Sequence, residues 1–204
     1  MIAVVDYEMG NLRSIAKALE FVGGDVIVSN KPEDLRSAKK IVLPGVGAFR
    51  DGMINLQKKD LISILRQEVK EKKKPLFGIC LGMQLLADKS YEFGEWKGLG
   101  FISGEVKKFD IDDKYKVPHV GWNNVKFVSD HPLLKGVKNN SDFYFVHSYH
   151  LICQEESMVA GVCDYGGDFT AIVAKDNIFA TQFHPEKSQK SGLKILENFV
   201  KLEV

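Results

Sequence analysis

The chain has 204 residues, 45% of them hydrophobic and 27% charged, and its formal net charge at pH 7 is +1. These values are ordinary for a globular domain with a sizeable core, and a charge near zero gives no polyelectrolyte signal for nucleic-acid binding. No apolar run is long enough to span a bilayer. The short apolar start meets Asp6 at once, so we expect a first buried strand and no signal peptide.

The first half of the chain alternates strand-like and helix-like segments. Strands are predicted at residues 2–6, 25–29, 40–43 and 75–79. Helices are predicted between them, at residues 12–22, 32–37 and 61–69. This order argues for an α/β fold with a doubly wound, mostly parallel sheet flanked by helices. In such sheets ligands bind beyond the carboxyl ends of the strands.

The second half of the chain changes character. It contains short β-like runs at residues 101–109, 123–128, 142–146, 158–163, 169–174 and 178–183, and a closing helix at residues 188–201. These runs predict a partly antiparallel β extension of the sheet. The chain has no repeat and no linker-like segment, so we expect residues 1–204 to form one domain.

Residues 78–82 read Gly-Ile-Cys-Leu-Gly, between a short apolar run and an amphipathic stretch, which is the context of a strand, a sharp turn and a helix. In a G-x-C-x-G elbow the central side chain is lifted above the sheet edge, and the glycines let backbone pass closely. A helix N-terminus also favours a thiolate. Cys80 is therefore a candidate nucleophile, although a buried structural cysteine would explain the same pentapeptide.

Residues 183–186 read Phe-His-Pro-Glu and supply a candidate base. Because proline disfavours helix at the preceding residue, we expect an extended segment in which His184 and Glu186 point to the same side. A carboxylate beside a histidine fixes its tautomer and stabilises the imidazolium. A cysteine, a histidine and an orienting carboxylate form the pattern of an activated thiol. The alternative for His184 is a surface loop histidine.

The third segment is Pro44-Gly45-Val46-Gly47, directly after the strand predicted at residues 40–43. Two glycines two residues apart leave the backbone free to aim N–H groups into a cavity, as an oxyanion site requires. An ordinary turn after a strand would explain the same residues. The segment and Cys80 both fall at the carboxyl edge of the predicted sheet, as one shared site requires.

The three cysteines, Cys80, Cys153 and Cys163, form an odd set without C-x-x-C spacing. This usage argues against a disulfide framework and favours a reducing cytoplasm. We expect Cys153 and Cys163 to act as small core residues. The five histidines have a spacing that matches no common zinc pattern.

Together these segments resemble a class I, triad-type glutamine amidotransferase over essentially the whole chain, which implies a flavodoxin-like fold. Six blocks are further similar to the glutaminase subunits of imidazole glycerol phosphate synthase, from histidine biosynthesis. The blocks are residues 6–12, 44–49, 78–86, 118–123, 144–149 and 182–188. The fourth and sixth blocks are the more specific ones. One departure is Glu8, which stands near the expected partner face where the family usually has a smaller residue.

The resemblance implies that the chain hydrolyses glutamine to glutamate and ammonia through a triad of Cys80, His184 and Glu186, with no cofactor and no metal. It implies oxyanion donors at the backbone N–H groups of Val46 and Leu81. It further implies a glutamine-binding set made of Gly47, Gln84, Glu92, His147, Ser148 and Tyr149.

In that set, Glu92 would pair with the α-ammonium group of the substrate. Without the resemblance, Gln84 would be interpreted as a solvent-facing helix residue and Glu92 as a surface loop acid.

By the same resemblance, the partner is a separate (β/α)8-barrel synthase subunit in a heterodimer. It would use the ammonia to make imidazole glycerol phosphate and an aminoimidazole carboxamide ribotide. Our candidates for the interface and the ammonia entrance are Asn11, Trp122, Tyr144 and Lys187. Core packing is the alternative for the two aromatic residues.

Three other readings stay open at the level of sequence. The first is a Cys-His hydrolase of another kind, such as a small-peptide amidase or a chaperone-like protein of the same architecture. The second is a non-catalytic interaction domain, against which the intact Cys80, His184 and Glu186 argue. The third is a paralogous amidotransferase subunit that feeds ammonia to a different synthase, for example in surface-sugar biosynthesis.

Overall fold

The computed structural model describes residues 1–203. Within them the strands are β1 Ile2–Val5, β2 Val26–Ser29, β3 Lys40–Leu43, β4 Leu76–Ile79, β5 Ala87–Ser90, β6 Trp96–Lys97, β7 Ile102–Lys108, β8 His119–Phe127, β9 Ser141–His147, β10 Tyr149–Cys153, β11 Val159–Asp164, β12 Asp168–Lys175 and β13 Ile178–Thr181. The α-helices are α1 Leu12–Phe21, α2 Pro32–Ser37, α3 Phe49–Lys58, α4 Leu61–Leu65, α5 Leu81–Leu85 and α6 Gln189–Lys201. None of the described helices is long and apolar enough to cross a membrane.

A nine-stranded sheet runs through the centre in the order β2-β1-β3-β4-β13-β12-β11-β8-β9. Strands β2, β1, β3, β4 and β13 pair in parallel. From β13 outward to β9 every pairing is antiparallel. The predicted α/β fold, with a mostly parallel sheet and an antiparallel extension, is confirmed.

Apolar side chains cover both faces of this sheet, because successive residues of a strand point to opposite sides. In β1, Ala3 and Val5 join one buried cluster and Ile2 and Val4 join the other. The first cluster includes residues of α2, α3, α4 and α5. The second includes residues of α1 and α6. The parallel strands are thus buried on both sides, which explains their nearly continuous apolar sequence.

Helix α1 illustrates how the local sequence determines which side of a helix is buried and where the helix begins. Its buried residues Ile15, Ala16 and Leu19 recur at helical spacing, so one stripe faces the sheet. The helix begins after Asn11, whose side-chain oxygen accepts a hydrogen bond from the Ser14 N–H at 3.3 Å.

The structure corrects several sequence predictions. The run at residues 101–109 forms β7, which lies outside the main sheet in a second sheet of order β10-β7-β5-β6. Helix α3 was not predicted, and the helix predicted at residues 61–69 is α4 continued by a π-helical segment, Arg66–Glu71. The amphipathic helix expected after Cys80 is only the five residues of α5, all of them buried, before the chain turns into β5. Burial of all sides removes the amphipathic signal that sequence reasoning uses.

The backbone after β3 lies directly against the backbone of α5. A Cβ atom added to Gly82 would stand 1.8 Å from the carbonyl oxygen of Leu43. A Cβ atom added to Gly45 would stand 2.2 Å from the hydroxyl oxygen of Tyr7, which donates a hydrogen bond to the Pro44 carbonyl at 2.6 Å. Only glycine permits these two approaches, which bring the loop after β3 onto the elbow.

We expect Gly82→Ala to lower the free energy of unfolding by about 3 kcal/mol, because the new methyl group would overlap backbone that is fixed in the sheet. Gly52→Ala is the matched control, since the same methyl group would meet only side-chain atoms, at 3.2 Å and beyond. Urea unfolding of the three proteins measures the difference. Equal stability of Gly82→Ala and the unchanged protein would contradict the close approach.

Candidate active site

Cys80 occupies a strained turn between β4 and α5. Its backbone has φ 54° and ψ −110°, in the positive-φ region that residues with a side chain rarely adopt. The Cys80 N–H donates to the Thr181 carbonyl at 2.8 Å, which ties the turn to the end of β13. The residue is 6% exposed. This geometry directs the thiol away from the sheet edge, as expected for an elbow.

His184 and Glu186 follow β13 and form a buried pair. His184 Nδ1 and Glu186 Oε1 are 2.9 Å apart, and both side chains are almost completely buried. The extended segment predicted here is wrong beyond His184, because Pro185–Lys187 form a 3-10 turn. The turn still places the carboxylate against the imidazole, so that Nδ1–H donates to Glu186 and fixes the ring.

The free side of the imidazole is its Nε2 atom. Within residues 1–203, Nε2 is buried and makes no hydrogen bond, which leaves it available for a proton. Burial alone lowers the pKa of His184, but its interactions with the Cys80 sulfur and the Glu186 carboxylate outweigh burial and raise that pKa to about 9. The raised pKa means that His184 holds a proton more readily when Cys80 is a thiolate.

A cavity of about 350 Å³ opens beside Cys80. Its lining contains every residue of the predicted oxyanion and glutamine-binding sets: Val46, Gly47, Leu81, Gln84, Glu92, His147, Ser148 and Tyr149. Phe93, Pro118 and Val146 complete the lining. Pro118 and Val146 lie within the blocks at residues 118–123 and 144–149 but were not predicted as site residues, and Phe93 carries no local signal because its position depends on how distant loops meet. The volume lies in the range of small-molecule sites.

Gln84 and Glu92 are buried, so the solvent-facing alternatives for both are wrong. Glu92 Oε2 accepts a hydrogen bond from the Phe49 N–H at 2.6 Å. Burial raises the pKa of Glu92 although this hydrogen bond opposes the rise. Gln84 Nε2 donates to the Tyr149 carbonyl at 2.8 Å and to Gln182 Oε1 at 3.1 Å.

The two predicted oxyanion donors differ in their present partners. The Leu81 N–H donates to the Gly45 carbonyl at 3.3 Å, so it already has an acceptor. Val46 lines the cavity and is 42% exposed, and Gly47 follows it with φ 102°. A rotation of the peptide between Gly45 and Val46 would exchange a carbonyl for an N–H at the cavity wall. Gly45, which flanks this peptide, lowers the cost of the rotation.

His147 at the cavity wall and His119 form a polar pair among aromatic rings. His119 Nδ1 lies 3.1 Å from His147 Nε2, and His147 Nδ1 lies 2.9 Å from the Tyr149 carbonyl. Because a carbonyl only accepts, Nδ1 of His147 carries the proton, and His119 Nδ1–H must then donate to His147 Nε2. Burial lowers the pKa of His119 to about 4 and that of His147 to about 3. Both rings are therefore neutral near pH 7.

An exposed apolar face lies on the hairpin of β8 and β9 beside the cavity. Trp122 and Val120 are 49% and 56% exposed, so core packing is the wrong interpretation for Trp122. They pair across the hairpin with Tyr144 and Val146. The Lys187 ammonium stands 5.6 Å from the centre of the Tyr144 ring. A contiguous exposed apolar face of this kind is typical of a protein interaction site.

The remaining candidates lie as follows. Asn11 is exposed at the start of α1. Glu8 is exposed and forms an ion pair with Lys59 at 2.9 Å. Cys163 is buried as expected, whereas Cys153 is only partly buried. In the described part of the chain, no three His, Cys, Asp or Glu side chains are grouped so as to hold a metal ion.

Comparison with known proteins yields a family and a fold. Residues 3–202 match the family of class-I glutamine amidotransferases. The chain is 51% identical over 202 residues to imidazole glycerol phosphate synthase subunit HisH 1 of Campylobacter jejuni, covering 99% of this chain and 100% of that protein. It is 52% identical over 204 residues to the HisH subunit of Methanocaldococcus jannaschii, again covering 99% and 100%.

Two solved structures share its fold. One is a crystal structure of a glutamine amidotransferase, with a TM-score of 0.76 at 21% identity, covering 98% of this chain and 99% of that one. The other is PurLQS from Thermotoga maritima, with a TM-score of 0.74 at 18% identity, covering 97% and 96%.

We expect the free energy of unfolding to fall as the pH is lowered from 7 to 5. The reason is that His119 and His147 bind protons in this range in the unfolded state but not when they are buried in the folded state. Stability from such groups is present above the unfolded pKa of about 6.5 and is lost toward the folded values. The loss at pH 5 is on the order of 2 kcal/mol per histidine. In His119→Phe the pH dependence should be shallower by that amount, as measured by urea unfolding at both pH values. An unchanged dependence would contradict the neutral pair.

Proposed function

The chain belongs to the class-I glutamine amidotransferase family, and from that premise we propose that it is the glutaminase subunit of an imidazole glycerol phosphate synthase, in histidine biosynthesis. It hydrolyses glutamine to glutamate and ammonia. Relatives of that name share about half of its residues over their full length. The observation that carries the chemical assignment is the buried His184–Glu186 pair behind Cys80, at the wall of a cavity of amino-acid size.

In the first half of the proposed reaction, the Cys80 sulfur attacks the side-chain amide carbon of glutamine while His184 Nε2 takes the thiol proton. The carbonyl oxygen becomes an oxyanion, which backbone N–H groups stabilise. His184 then returns the proton to the amide nitrogen, the C–N bond breaks, and ammonia leaves a thioester on Cys80. Glu186 holds the imidazole and stabilises its charged form.

In the second half, a water molecule attacks the thioester carbon while His184 Nε2 takes the water proton. The C–S bond breaks as the oxyanion collapses, glutamate leaves, and the proton returns to the sulfur. Each cycle therefore consumes one glutamine and one water and restores the thiol. One histidine serves as base and acid in turn, which suits a pKa that the neighbouring charges raise.

For glutamine recognition we propose the charged and polar groups of the cavity wall. The Glu92 carboxylate pairs with the substrate α-ammonium, because it is the buried acid in the lining. Gln84 contributes its side-chain oxygen, since both of its N–H groups already have acceptors. Gly47 and the backbone of His147, Ser148 and Tyr149 hold the remaining substrate groups.

Membership in a synthase implies a synthase partner, and we propose a (β/α)8-barrel subunit in a heterodimer. Its docking surface would be the apolar face of the exposed Trp122 and the half-buried Tyr144, with Lys187 beside Tyr144. We propose Asn11, exposed at the start of α1, as a further contact. This face adjoins the cavity through Val146, so ammonia released at Cys80 has a short route to the partner. We further propose that residues 1–204 act as one domain in the cytoplasm.

We expect Cys80→Ala to abolish glutamine-dependent synthesis by the complex and to leave synthesis from free ammonium intact, because the synthase chemistry lies on the partner. A glutamine-analogue electrophile should label Cys80 and leave Cys163 and Cys153 unlabelled. Mass spectrometry of the labelled chain measures this. Loss of both activities in an intact complex would contradict this division of labour. Glutaminase activity that survives in Cys80→Ala would overturn the proposed function.

We expect the isolated chain to be a weak glutaminase, because the Leu81 N–H is held by the Gly45 carbonyl and the Val46 N–H must be turned into the cavity. Binding of the partner with its ligand should raise glutaminase activity about a hundredfold, the value of an oxyanion donor. The rise should appear in kcat, since the donor acts on the transition state. Steady-state kinetics with and without partner measure it, and full activity in the isolated chain would rule out this gating. Lys187→Ala should reduce the rise in glutaminase activity that partner binding causes.

A further inference from the structure

We propose that Gln182 is a positioning residue for Cys80, whose side-chain N–H donates to the Cys80 sulfur and favours its attacking form. The inference rests on the proposed role of Cys80 as the nucleophile. Gln182 follows β13 and is fully buried, with its Nε2 atom 3.7 Å from Cys80 Sγ. It does not line the cavity, so it acts on the sulfur from behind and not on the substrate.

The orientation of the Gln182 amide follows from its neighbours. The Tyr149 carbonyl can only accept, and Gln84 Nε2 lies 2.8 Å from it, so Gln84 presents its nitrogen there. The second N–H of Gln84 then donates to Gln182 Oε1 at 3.1 Å. The nitrogen of Gln182 is thereby turned toward the sulfur. A reversed Gln182 amide would bring two NH₂ groups together and place an oxygen against the sulfur.

We call the chain of hydrogen bonds from the Tyr149 carbonyl through Gln84 and Gln182 to the Cys80 sulfur the relay. Its end at the Tyr149 carbonyl is also held in place. His147 Nδ1–H donates to the same Tyr149 carbonyl, and His119 holds the other nitrogen of His147. Four side chains and one backbone carbonyl therefore lock a single amide N–H on the sulfur. These hydrogen bonds favour one arrangement, because Gln84, Gln182 and His147 would each lose a hydrogen bond by rotating.

This donor matters because the other groups around the sulfur do not all favour a negative charge. The Val146 carbonyl lies 4.0 Å from Cys80 Sγ and accepts from the thiol, so it favours the neutral form. The Tyr7 hydroxyl is directed to the Pro44 carbonyl and not to the sulfur. His184 favours the thiolate when it is protonated. The Gln182 N–H favours the thiolate throughout, since hydrogen bonds to ionised acceptors are stronger than those to neutral ones.

The test is the rate at which iodoacetamide alkylates Cys80 in the full chain, followed against pH by mass spectrometry. This small reagent enters the cavity without needing the groups proposed to bind the glutamine α-ammonium and α-carboxylate. In Gln182→Leu we expect the rate at neutral pH to fall about tenfold and the midpoint of its pH profile to rise by about one unit, the scale of a hydrogen bond to a charged group. Glutaminase kcat should fall with KM nearly unchanged.

Asn177→Leu is the matched control, because Asn177 is a buried amide at the opposite end of β13. It donates to the carbonyls of Val69 and Lys74. Its loss should lower thermal stability and leave the alkylation profile in place. A purely structural role for Gln182 would give the same pattern as Asn177→Leu, and that outcome would overturn the proposal.

Gln84→Leu tests the relay without changing Gln182, which becomes free to rotate. We expect part of the same shift in the alkylation profile, and a profile that stays in place in this variant also counts against the relay. These outcomes are separate from the proposed function. If Cys80→Ala kept glutaminase activity, the nucleophile would be wrong even with a shifted profile. If only Cys80→Ala gave the expected result, the proposed role of Cys80 would be retained and the proposed role of Gln182 would be overturned.

Discussion

The close approach of two backbone segments is the constraint on which the site depends. The loop after β3 lies against the start of α5 because Gly82 and Gly45 leave no side chain between them. That contact lies next to the positive-φ turn of Cys80 and brings the Leu81 N–H within reach of the Gly45 carbonyl. The proposed nucleophile and the proposed oxyanion donors are therefore parts of one packing arrangement, and a methyl group in it would disturb both.

The parallel half of the sheet then joins segments that are far apart in the chain. Strand β13 lies beside β4, so residues that follow the two strands meet although about a hundred positions separate them. Cys80 follows β4, whereas Gln182, His184 and Glu186 follow β13. Because parallel strands present their carboxyl ends at one edge, the thiol, its proposed base and its proposed amide donor share a single location.

Buried polar groups organise the space between this edge and the antiparallel extension. The Tyr149 carbonyl accepts from both Gln84 and His147, which links the cavity wall to the polar pair behind it. Such groups are costly to bury unless each finds a partner, so they fix one arrangement of the loops. The exposed face of β8 and β9 adjoins the cavity through Val146, so a protein that bound this face would lie next to the cavity.

Local patterns in the sequence were sufficient to predict β1 to β4 of the parallel half, the elbow at Cys80 and the His184–Glu186 pair, because these depend on residues a few positions apart. The run that forms β13 was predicted as part of the antiparallel extension, whereas it pairs in parallel with β4. The family and the α/β fold also followed from such motifs. The second sheet, helix α3, the 3-10 turn after His184 and the contact of Gln182 with the sulfur did not. The second sheet and the Gln182 contact depend on which distant segments pack together, and a glutamine beside a histidine motif has no periodic or local signal. The sequence by itself therefore determined which chemistry the chain carries. Only the tertiary structure decided how the thiol is held, since hydrogen bonds and close backbone contacts join residues from opposite ends of the chain.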